Sequence, residues 1–212
     1  PYTTLFRSYL SYQPRSVYEI LEYLNKHEIS QDASQAAVQN LIKLNYLNDN
    51  NFARLFIKNN LRVGKDGPRA VDRKLKQKGL AADVIQEALY EIEDEEWIDA
   101  GLRLVHSLIH QVGKLSYKDI KQKALTKLRA HGFDQELGEL VIEKLDLEND
   151  EDEQIEALKR QGSKAWRRYR RDEDFKRKQK VKRYLFQHGF SSSEIDSFLN
   201  GEVVDLEEID EY

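Results

Sequence analysis

A short submotif occurs four times in this chain of 212 residues, and its spacing limits the folds that the chain can adopt. Each copy has a leucine, three mostly polar residues, a turn residue and an apolar residue. The copies are residues 24–29, 75–80, 128–133 and 185–190, so their turn positions lie 51, 53 and 57 residues apart. Such spacing is typical of tandem helical units, each too small to bury its apolar face alone. We therefore expect an elongated repeat protein with a long surface for a partner and no pocket for a small-molecule substrate.

The submotif contains the residue types that are typical of a helix end. Gly79 supplies a left-handed residue just past the helix, and Leu80 folds back as an apolar contact. Glu28 stands where the other copies have glycine, so that turn is predicted to be different or strained. The residue before the turn is a potential cation at the negative end of the helix dipole in every copy, namely His27, Lys78, His131 or His188.

The composition favours thin helical layers over one thick core. Charged residues make up 34% of the chain and hydrophobic residues 40%, and only three prolines and ten glycines interrupt the helical pattern. The absence of cysteine excludes disulfides and thiol chemistry. No apolar run has membrane-spanning length and no signal peptide is visible, so we expect a cytoplasmic protein with no membrane contact.

Helix start signals divide the chain into units of three helices. Ser16 with Glu19 forms a capping box, Asp49 is a candidate N-cap, and Pro68 suits the first turn of the helix after Gly67. The predicted fold is all-α, with tandem three-helix repeats of the helix-turn-helix or winged-helix type in an elongated curved array. The predicted segments are residues 9–47, 48–93, 94–148 and 149–201 as repeats one to four, with 202–212 as an acidic tail.

The N-terminal residues need separate treatment. Residues 1–8 resemble the translation of a common sequencing adapter, so we expect them to be non-native and to take no part in the fold. The chain also contains no methionine, from which we expect the natural protein to extend further at its N-terminus.

The net charge of −4 hides a strong segregation of charge. Residues 157–190 hold thirteen Lys and Arg against three acids, whereas residues 143–156 carry eight acids and one lysine. Residues 91–99 and the tail 202–212 carry six acids each. The distribution of charge, more than its sum, therefore indicates where an anionic partner would bind.

The basic segment interleaves cations with aromatic residues. Cations can neutralise phosphates, and Trp166 and Tyr169 are the candidate rings for stacking on unpaired bases. The alternative is a solvated helix face on which both rings belong to the core. The candidate contacts to nucleic acid or to an acidic protein surface are Lys164, Arg167, Arg168, Arg170, Arg171, Lys176, Arg177, Lys178, Lys180, Lys182 and Arg183.

A second basic set precedes it in the chain. Its candidate contact residues are Arg62, Lys65, Arg69, Arg73 and Lys76. Arg69, Arg73 and Lys76 lie three to four residues apart, which would place them in one exposed helical stripe. A solvated face and a partner contact are equally good interpretations of this set.

No catalytic, cofactor or metal site is predicted. The acidic runs lack the spacing of a calcium loop, and solvation explains them best, with intramolecular pairing to the basic repeat or DNA mimicry as alternatives. His106 and His110 are four residues apart, but Ser107 replaces the glutamate of a zinc-protease motif. Residues 64–69 do not form a phosphate-binding loop, because the lysine and hydroxyl pair is missing.

One ordered set of residues resembles a known family. The set comprises Tyr46-Leu47-Asn48-Asp49, Phe52-Ala53, Gly67-Pro68 and Lys78-Gly79-Leu80. In this order and spacing it resembles the RecX family of bacterial regulators of the RecA recombinase. The weaker repeats extend the resemblance over residues 9–201, and the fourth repeat resembles the long form found in Gram-positive bacteria, without that form's N-terminal segment.

The resemblance implies a regulator rather than an enzyme. Members bind the RecA filament on single-stranded DNA and mainly inhibit its ATP hydrolysis, strand exchange and coprotease activity, and thereby recombination and the SOS response. We accordingly expect RecA and single-stranded DNA as partners and a monomeric protein. Two alternatives remain, namely a general nucleic-acid-binding helical repeat protein and a protein-binding scaffold that does not contact DNA.

Overall fold

The computed structural model describes residues 13–147 and 150–211, and within them it contains helices and turns but no strand. The predicted all-α fold is confirmed for this part of the chain, and the proposed adapter residues 1–8 lie outside it. No described helix is long and apolar enough to cross a membrane. The helices are α1 Val17–Lys26, α2 Gln31–Lys43, α3 Asp49–Val63, α4 Pro68–Gln77, α5 Ala82–Tyr90, α6 Asp94–Val105, a 3-10 helix His106–Gln111, α7 Tyr117–Ala130, α8 Gln135–Lys144, α9 Glu151–Arg168, α10 Asp174–Gln187, α11 Ser192–Leu199 and α12 Leu206–Glu211.

The chain divides into two compact units. Of the described residues, those up to Gly101 form one unit with His131–Leu137, and Leu102–Ala130 form the other with those from Gly138 onwards. In the first unit, α1 and α2 enclose a small core that includes Ile20, Leu24 and Val38. The second unit has a larger core between α9, α10 and α11, formed by Leu158, Trp166, Val181, Leu185, Phe190, Ile195 and Phe198. Thin cores of this kind agree with the high fraction of charged residues.

Most predicted helix starts are confirmed. Ser16 accepts a hydrogen bond from the Glu19 amide and the Glu19 side chain accepts from the Ser16 amide, which completes the capping box. Gly67 is the N-cap of α4 and Pro68 is its first residue. Ser191 and Glu194 form a second capping box at α11.

The prediction for Asp49 is wrong. Asn48 is the N-cap of α3 and accepts a hydrogen bond from the Asn51 amide, while Asp49 is the first residue of that helix. The Asp49 carboxylate instead accepts a hydrogen bond of 2.9 Å from the amide of Val17, at the start of α1. Burial of this carboxyl group raises its pKa, although the hydrogen bond from Val17 acts in the opposite direction. Asp49 therefore satisfies a free amide of a different helix.

Buried serines join the repeats of the submotif to one another. In the first unit, the Ser16 hydroxyl donates a hydrogen bond of 2.6 Å to the carbonyl of Lys78, and the Lys78 ammonium lies 2.7 Å from Glu19. In the second unit, the Ser116 hydroxyl donates to the carbonyl of His188. Both serines are almost completely buried, so each hydroxyl needs such a partner.

A glycine takes the place of the serine in another such contact within the first unit. The Gly67 amide donates a hydrogen bond of 2.8 Å to the carbonyl of His131, and the Arg69 amide donates one of 3.1 Å to the carbonyl of Gly132. In each contact the start of one helix thus meets the helix-end turn of a later submotif. We call these three contacts the repeat junctions.

A basic side chain and a carboxylate accompany each repeat junction. His131 Nδ1 lies 3.4 Å from Asp66, and His188 Nδ1 lies 3.0 Å from Asp119, as Lys78 does with Glu19 in the first contact. Burial of the Asp66 carboxyl group raises its pKa, but hydrogen bonds from Lys74 and His131 outweigh this effect and hold the pKa below its ordinary value. Three of the four residues before the turns, Lys78, His131 and His188, therefore each reach a carboxylate in another copy of the repeat.

The turn geometry shows that the copy without glycine is strained. Gly79 has φ of 77°, as the submotif predicts, and a Cβ at this position would overlap the side chain of Tyr18. Glu28 has φ of 57° and thus adopts the same left-handed conformation with a side chain. The first copy therefore keeps the same turn and is strained, by about 1 kcal/mol.

This comparison predicts opposite effects of two substitutions. Glu28→Gly should raise the free energy of unfolding by up to about 1 kcal/mol, because glycine adopts positive φ without strain. Gly79→Ala should lower it by about 1–3 kcal/mol, because it adds both strain and a clash with Tyr18. Urea titration of the two variants and the wild type measures both effects. A destabilised Glu28→Gly variant would contradict the account.

Candidate nucleic-acid interface

Opposite charges occupy the two ends of α9. Asp150 caps the helix by accepting a hydrogen bond of 3.1 Å from the Glu153 amide, and acids fill the first turn. Arg167 and Arg168 lie in the last turn. Acids at the amino end and bases at the carboxyl end both stabilise a helix through its dipole. The dipole of α9 thus explains part of the acidic run 143–156. The dipole of α6 explains Asp94, Glu95 and Glu96 in the same way, because they lie in its first turn.

A concave basic surface lies along the exposed side of α9. It encloses about 620 Å³ and is lined by Gly113, Glu156, Lys159, Arg160, Ser163, Lys164 and Arg167. Lys159 pairs with Glu156 at 2.8 Å. Arg160, Lys164 and Arg167 are exposed and form no ion pair within residues 13–147 and 150–211. Arg160 was absent from the predicted set, although its spacing of four from Lys164 gave the signal.

Three of the predicted contact lysines form surface ion pairs with carboxylates of the same chain. Lys178 lies 3.1 Å from Asp174, Lys180 lies 2.8 Å from Asp172, and Lys182 lies 2.9 Å from Asp196. Their charges are partly neutralised by these carboxylates, so they are weaker candidates for phosphate binding than unpaired cations.

Other predicted cations keep their charges available. Among the residues described, Arg171, Lys176 and Arg183 are exposed and have no ion-pair partner, as is true of Lys164 and Arg167. The guanidinium of Arg168 lies 5.9 Å from the centre of the Tyr169 ring. Arg170 is exposed and interacts electrostatically with Asp210. These cations surround the end of α9 and the exposed side of α10.

The prediction for Arg177 as a contact residue is wrong. Arg177 is only 8% exposed, and its guanidinium lies 3.8 Å from the centre of the Trp166 ring. It donates hydrogen bonds of 2.8 and 3.1 Å to the Trp166 carbonyl and pairs with Asp210 at 2.5 Å. A buried cation requires such partners, so Arg177 is part of the core.

The prediction of Trp166 as a stacking ring is also wrong. The residue is 4% exposed, packs in the core of α9, α10 and α11, and donates its indole N–H to Asp210 at 3.2 Å. Tyr169 is half-buried against the same core, and the Lys180 ammonium lies 5.4 Å from its ring centre. The alternative of core aromatics therefore holds for Trp166, while a stacking role for Tyr169 stays a prediction.

Two exposed aromatic residues were missed. Phe175 and Phe186 are 76% and 66% exposed, and both belong to α10. They are eleven residues apart, which is close to three helical turns and places them on one face. Because Val181 and Leu185 already define the buried face, the spacing in the sequence could have identified both rings as exposed.

The C-terminal segment is more than a solvated acidic tail. Residues Leu206–Glu211 form α12, and Ile209 is buried in the core of the second unit. Hydrogen bonds from Arg177 are the main cause that holds the pKa of Asp210 below its ordinary value, and burial acts in the opposite direction. Intramolecular pairing with the basic repeat, one of the interpretations left open, is thus correct for Asp210.

The basic set of the first unit is exposed on and near α4. Arg69, Arg73 and Lys76 form the expected exposed stripe, in which Lys76 pairs with Asp72 at 2.8 Å and Arg69 lies 3.7 Å from Asp134. Lys65 is exposed before α4, and Arg62 is exposed at the end of α3 and approaches Asn59 at 3.5 Å. Their contact with a partner stays a prediction.

The geometry offers no candidate metal centre within the described part of the chain. No group of three or more His, Cys, Asp or Glu side chains in that part is arranged to hold a metal ion. His106 and His110 lie in the 3-10 helix that follows α6. The arrangement is suited to binding an anionic polymer through charge and exposed rings.

The contact between Asp210 and Arg177 predicts a stabilising role for α12. Asp210→Ala should lower the free energy of unfolding by about 1–3 kcal/mol, because it leaves the Arg177 guanidinium without its carboxylate. Glu208→Ala, which removes an exposed acid of the same helix, is the matched control. Equal stability of the two variants in urea titrations would show that the ion pair contributes nothing.

The pH dependence of this effect has a definite sign. A carboxyl group with a lowered pKa in the folded state stabilises the fold above its unfolded pKa of about 3.9 and loses that contribution as the pH falls through the folded value. The difference between the wild type and Asp210→Ala should therefore be constant near neutral pH and shrink below about pH 4. Unfolding experiments from pH 3 to pH 7 measure it.

Comparison with known proteins finds relatives that all belong to one family. Models of the first, second and third three-helix domains of RecX match residues 8–41, 48–89 and 151–199. Regulatory protein RecX of Lactobacillus gasseri is 91% identical over 208 residues, which cover 98% of this chain and 77% of that protein. Regulatory protein RecX of Bacillus subtilis is 34% identical over 194 residues, or 92% of this chain and 74% of that protein.

Solved structures agree with the observed fold. The crystal structure of RecX from Lactobacillus salivarius has a TM-score of 0.62 and 27% identity, and the match covers 67% of this chain and 92% of that one. The predicted tandem three-helix fold is thereby confirmed, while the exact boundaries of the four repeats stay a prediction. With three matched domains and relatives named as regulatory proteins over almost its full length, the chain belongs to the RecX family of regulatory proteins.

Proposed function

We propose that this protein binds the RecA filament on single-stranded DNA and mainly inhibits its activities. RecA as the partner follows from the resemblance to the RecX family, whose members are regulators of RecA. The observation that carries the DNA part is the group of exposed cations without ion-pair partners around α9 and α10, described above. The regulated processes would be ATP hydrolysis, strand exchange and the coprotease activity, and through them recombination, DNA repair and the SOS response.

The charge pattern supports contact with phosphates rather than with bases by sequence. Lys164, Arg167 and Arg171 are exposed, and their charges are available to displace counterions from a DNA backbone. No arrangement of side chains in α9 or α10 specifies contacts with base edges in a duplex groove. Binding that depends on backbone charge suits a regulator that acts on filaments of any sequence.

The repeats support inhibition through several simultaneous contacts. A basic surface in each unit, on α4 in one and on α9 and α10 in the other, would give the chain more than one point of attachment to a filament. Linked contacts bind much more tightly than each alone when they can engage together. A protein attached to neighbouring RecA subunits would resist the rearrangements that ATP turnover requires.

A general nucleic-acid-binding function is the second candidate. The same unpaired cations favour it, because they would bind any polyanionic strand with or without RecA. A steep dependence of DNA affinity on salt is expected for both functions. The two functions differ in how excess DNA changes the inhibition of ATP hydrolysis by RecA. Excess DNA should relieve inhibition by a general DNA-binding protein, but it should relieve inhibition by a protein that targets the filament only a little.

Inhibition should occur far below the amount of protein that coats the DNA. We expect ATP hydrolysis by RecA on single-stranded DNA to fall as this protein is titrated from well below equimolar to equimolar with RecA. Added free DNA should relieve the inhibition little if the filament is the target. Unchanged hydrolysis in the presence of a folded sample would contradict the proposal.

The difference between unpaired and paired cations predicts which substitutions matter. Replacing Lys164, Arg167 and Arg171 by alanine should weaken inhibition at least tenfold and reduce the salt dependence of DNA binding, because three available charges are lost. Replacing Lys123, Lys178 and Lys180 by alanine removes the same charge but breaks internal pairs with Asp119, Asp174 and Asp172, and is the matched control. Equal effects of the two triple variants, each with an intact helical signal, would contradict a specific role for the unpaired cations.

A further inference from the structure

The outer face of α10 combines exposed rings with cations in a regular pattern. Phe175, Gln179, Lys182 and Phe186 follow one another at intervals of four, three and four residues, so they share one face of the helix. The buried residues Arg177, Val181 and Leu185 lie on the opposite face. The two phenylalanines are thus held away from the core by the register of α10 itself.

The two rings differ from the other described phenylalanines. Phe52, Phe133, Phe190 and Phe198 are buried, and Phe56 is partly buried. A lone exposed apolar side chain is ordinary, but two exposed rings on one face of a strongly basic helix are not explained by packing. Residues Asp174–Gln187 contain six Lys or Arg against one acid.

Cations without internal partners flank the rings. Lys176 follows Phe175 and Arg183 precedes Phe186 by three positions, and the two cations are seven residues apart on the same side of the aromatic face. Neither forms an ion pair with any residue that the structure describes. Alternation of rings with available cations is the pattern by which proteins bind single strands, where bases stack on rings while cations neutralise phosphates.

We infer that the outer face of α10 binds single-stranded nucleic acid, with Phe175 and Phe186 stacking on unpaired bases and Lys176 and Arg183 neutralising phosphates. This inference rests on the proposed function and specifies where and how the strand is held. It replaces Trp166, which is buried, with two rings that bases can reach. An apolar protein partner is disfavoured because the rings are embedded in positive charge.

The geometry also sets a strand length. Eleven residues of α-helix span about 16 Å, and a strand that keeps the duplex rise of about 3.4 Å per nucleotide covers this distance in about five nucleotides. In that conformation a strand of four nucleotides engages one ring, and a strand of eight engages both. Affinity should rise steeply between these two lengths.

The test compares stacking with charge in the full chain. Affinities are measured by fluorescence anisotropy for labelled oligothymidylates of four, eight and fifteen nucleotides, and for an abasic strand of fifteen positions with the same phosphates. The variants are Phe175→Leu, Phe186→Leu, Phe186→Tyr and Lys176→Ala with Arg183→Ala. Tyr90→Leu is the matched control, because Tyr90 is 93% exposed at the end of α5, away from α10 in the sequence.

Each leucine variant should bind the fifteen-nucleotide thymidylate about tenfold more weakly, with an unchanged salt dependence. The same variants should bind the abasic strand as the wild type does, and Phe186→Tyr should restore binding because it keeps the ring. The double cation variant should lose affinity for both strands and reduce the salt slope by about one to two. The increase in affinity from four to eight nucleotides should disappear in Phe186→Leu.

Other outcomes would overturn the inference. Leucine variants that bind thymidylate like the wild type, or that lose affinity for thymidylate and the abasic strand alike, exclude stacking by these rings. If the leucine variants lose binding to RecA but bind DNA as the wild type does, the face is a protein-binding surface instead. If the wild type binds thymidylate through the rings but leaves ATP hydrolysis by RecA unchanged, the proposed function fails and the stacking surface stands.

Discussion

The repeat junctions are the contacts on which the rest of the architecture depends. In each, the start of one helix is inserted against a left-handed turn of a later submotif, and its buried hydrogen bond ends on a carbonyl of that turn, as from Ser16 to Lys78 and from Ser116 to His188. Carbonyl groups at a helix end lack intrahelical donors, so these contacts satisfy groups that would otherwise need water. Among the described residues, three of the four copies of the submotif therefore contact the start of another helix, and the glycine of each turn leaves room for that contact.

Internal pairing decides which charges of this chain are available to a partner. The sequence carries a dense cluster of cations, but carboxylates on the same surface neutralise Lys178, Lys180 and Lys182, and Arg177 is buried under α12. What remains is a smaller set at the end of α9 and along α10. Counting charges in a segment thus overestimates its binding surface, because i and i+4 acids and nearby turns compete with the partner.

Local patterns predicted most of the fold, whereas the wrong predictions concern residues whose partners are distant in the sequence. Capping at Ser16, the proline start of α4 and the turn at Gly79 follow from chemistry within a few residues, and all three are confirmed. Asp49 accepts a hydrogen bond from the amide of Val17, which is 32 positions away in the sequence. Asp210 accepts one from the indole of Trp166, which is 44 positions away. No local pattern reveals such partners. The exposure of Phe175 and Phe186 was available from helical spacing, but Trp166 drew attention because aromatic rings among arginines resemble a binding site regardless of burial.

The outer face of α10, on the side opposite its core residues, is the surface inferred to contact the strand within the RecA filament. Hydroxyl-radical footprinting tests it directly, because the reactivity of an aromatic ring reports the exposure of that ring. The full chain is labelled free, with RecA alone, and with RecA assembled on oligothymidylate. Phe175 and Phe186 should become protected only when the assembled filament is present, while Tyr90 should remain as reactive as in the free protein. Unchanged reactivity of both phenylalanines on a filament that is demonstrably bound would contradict it.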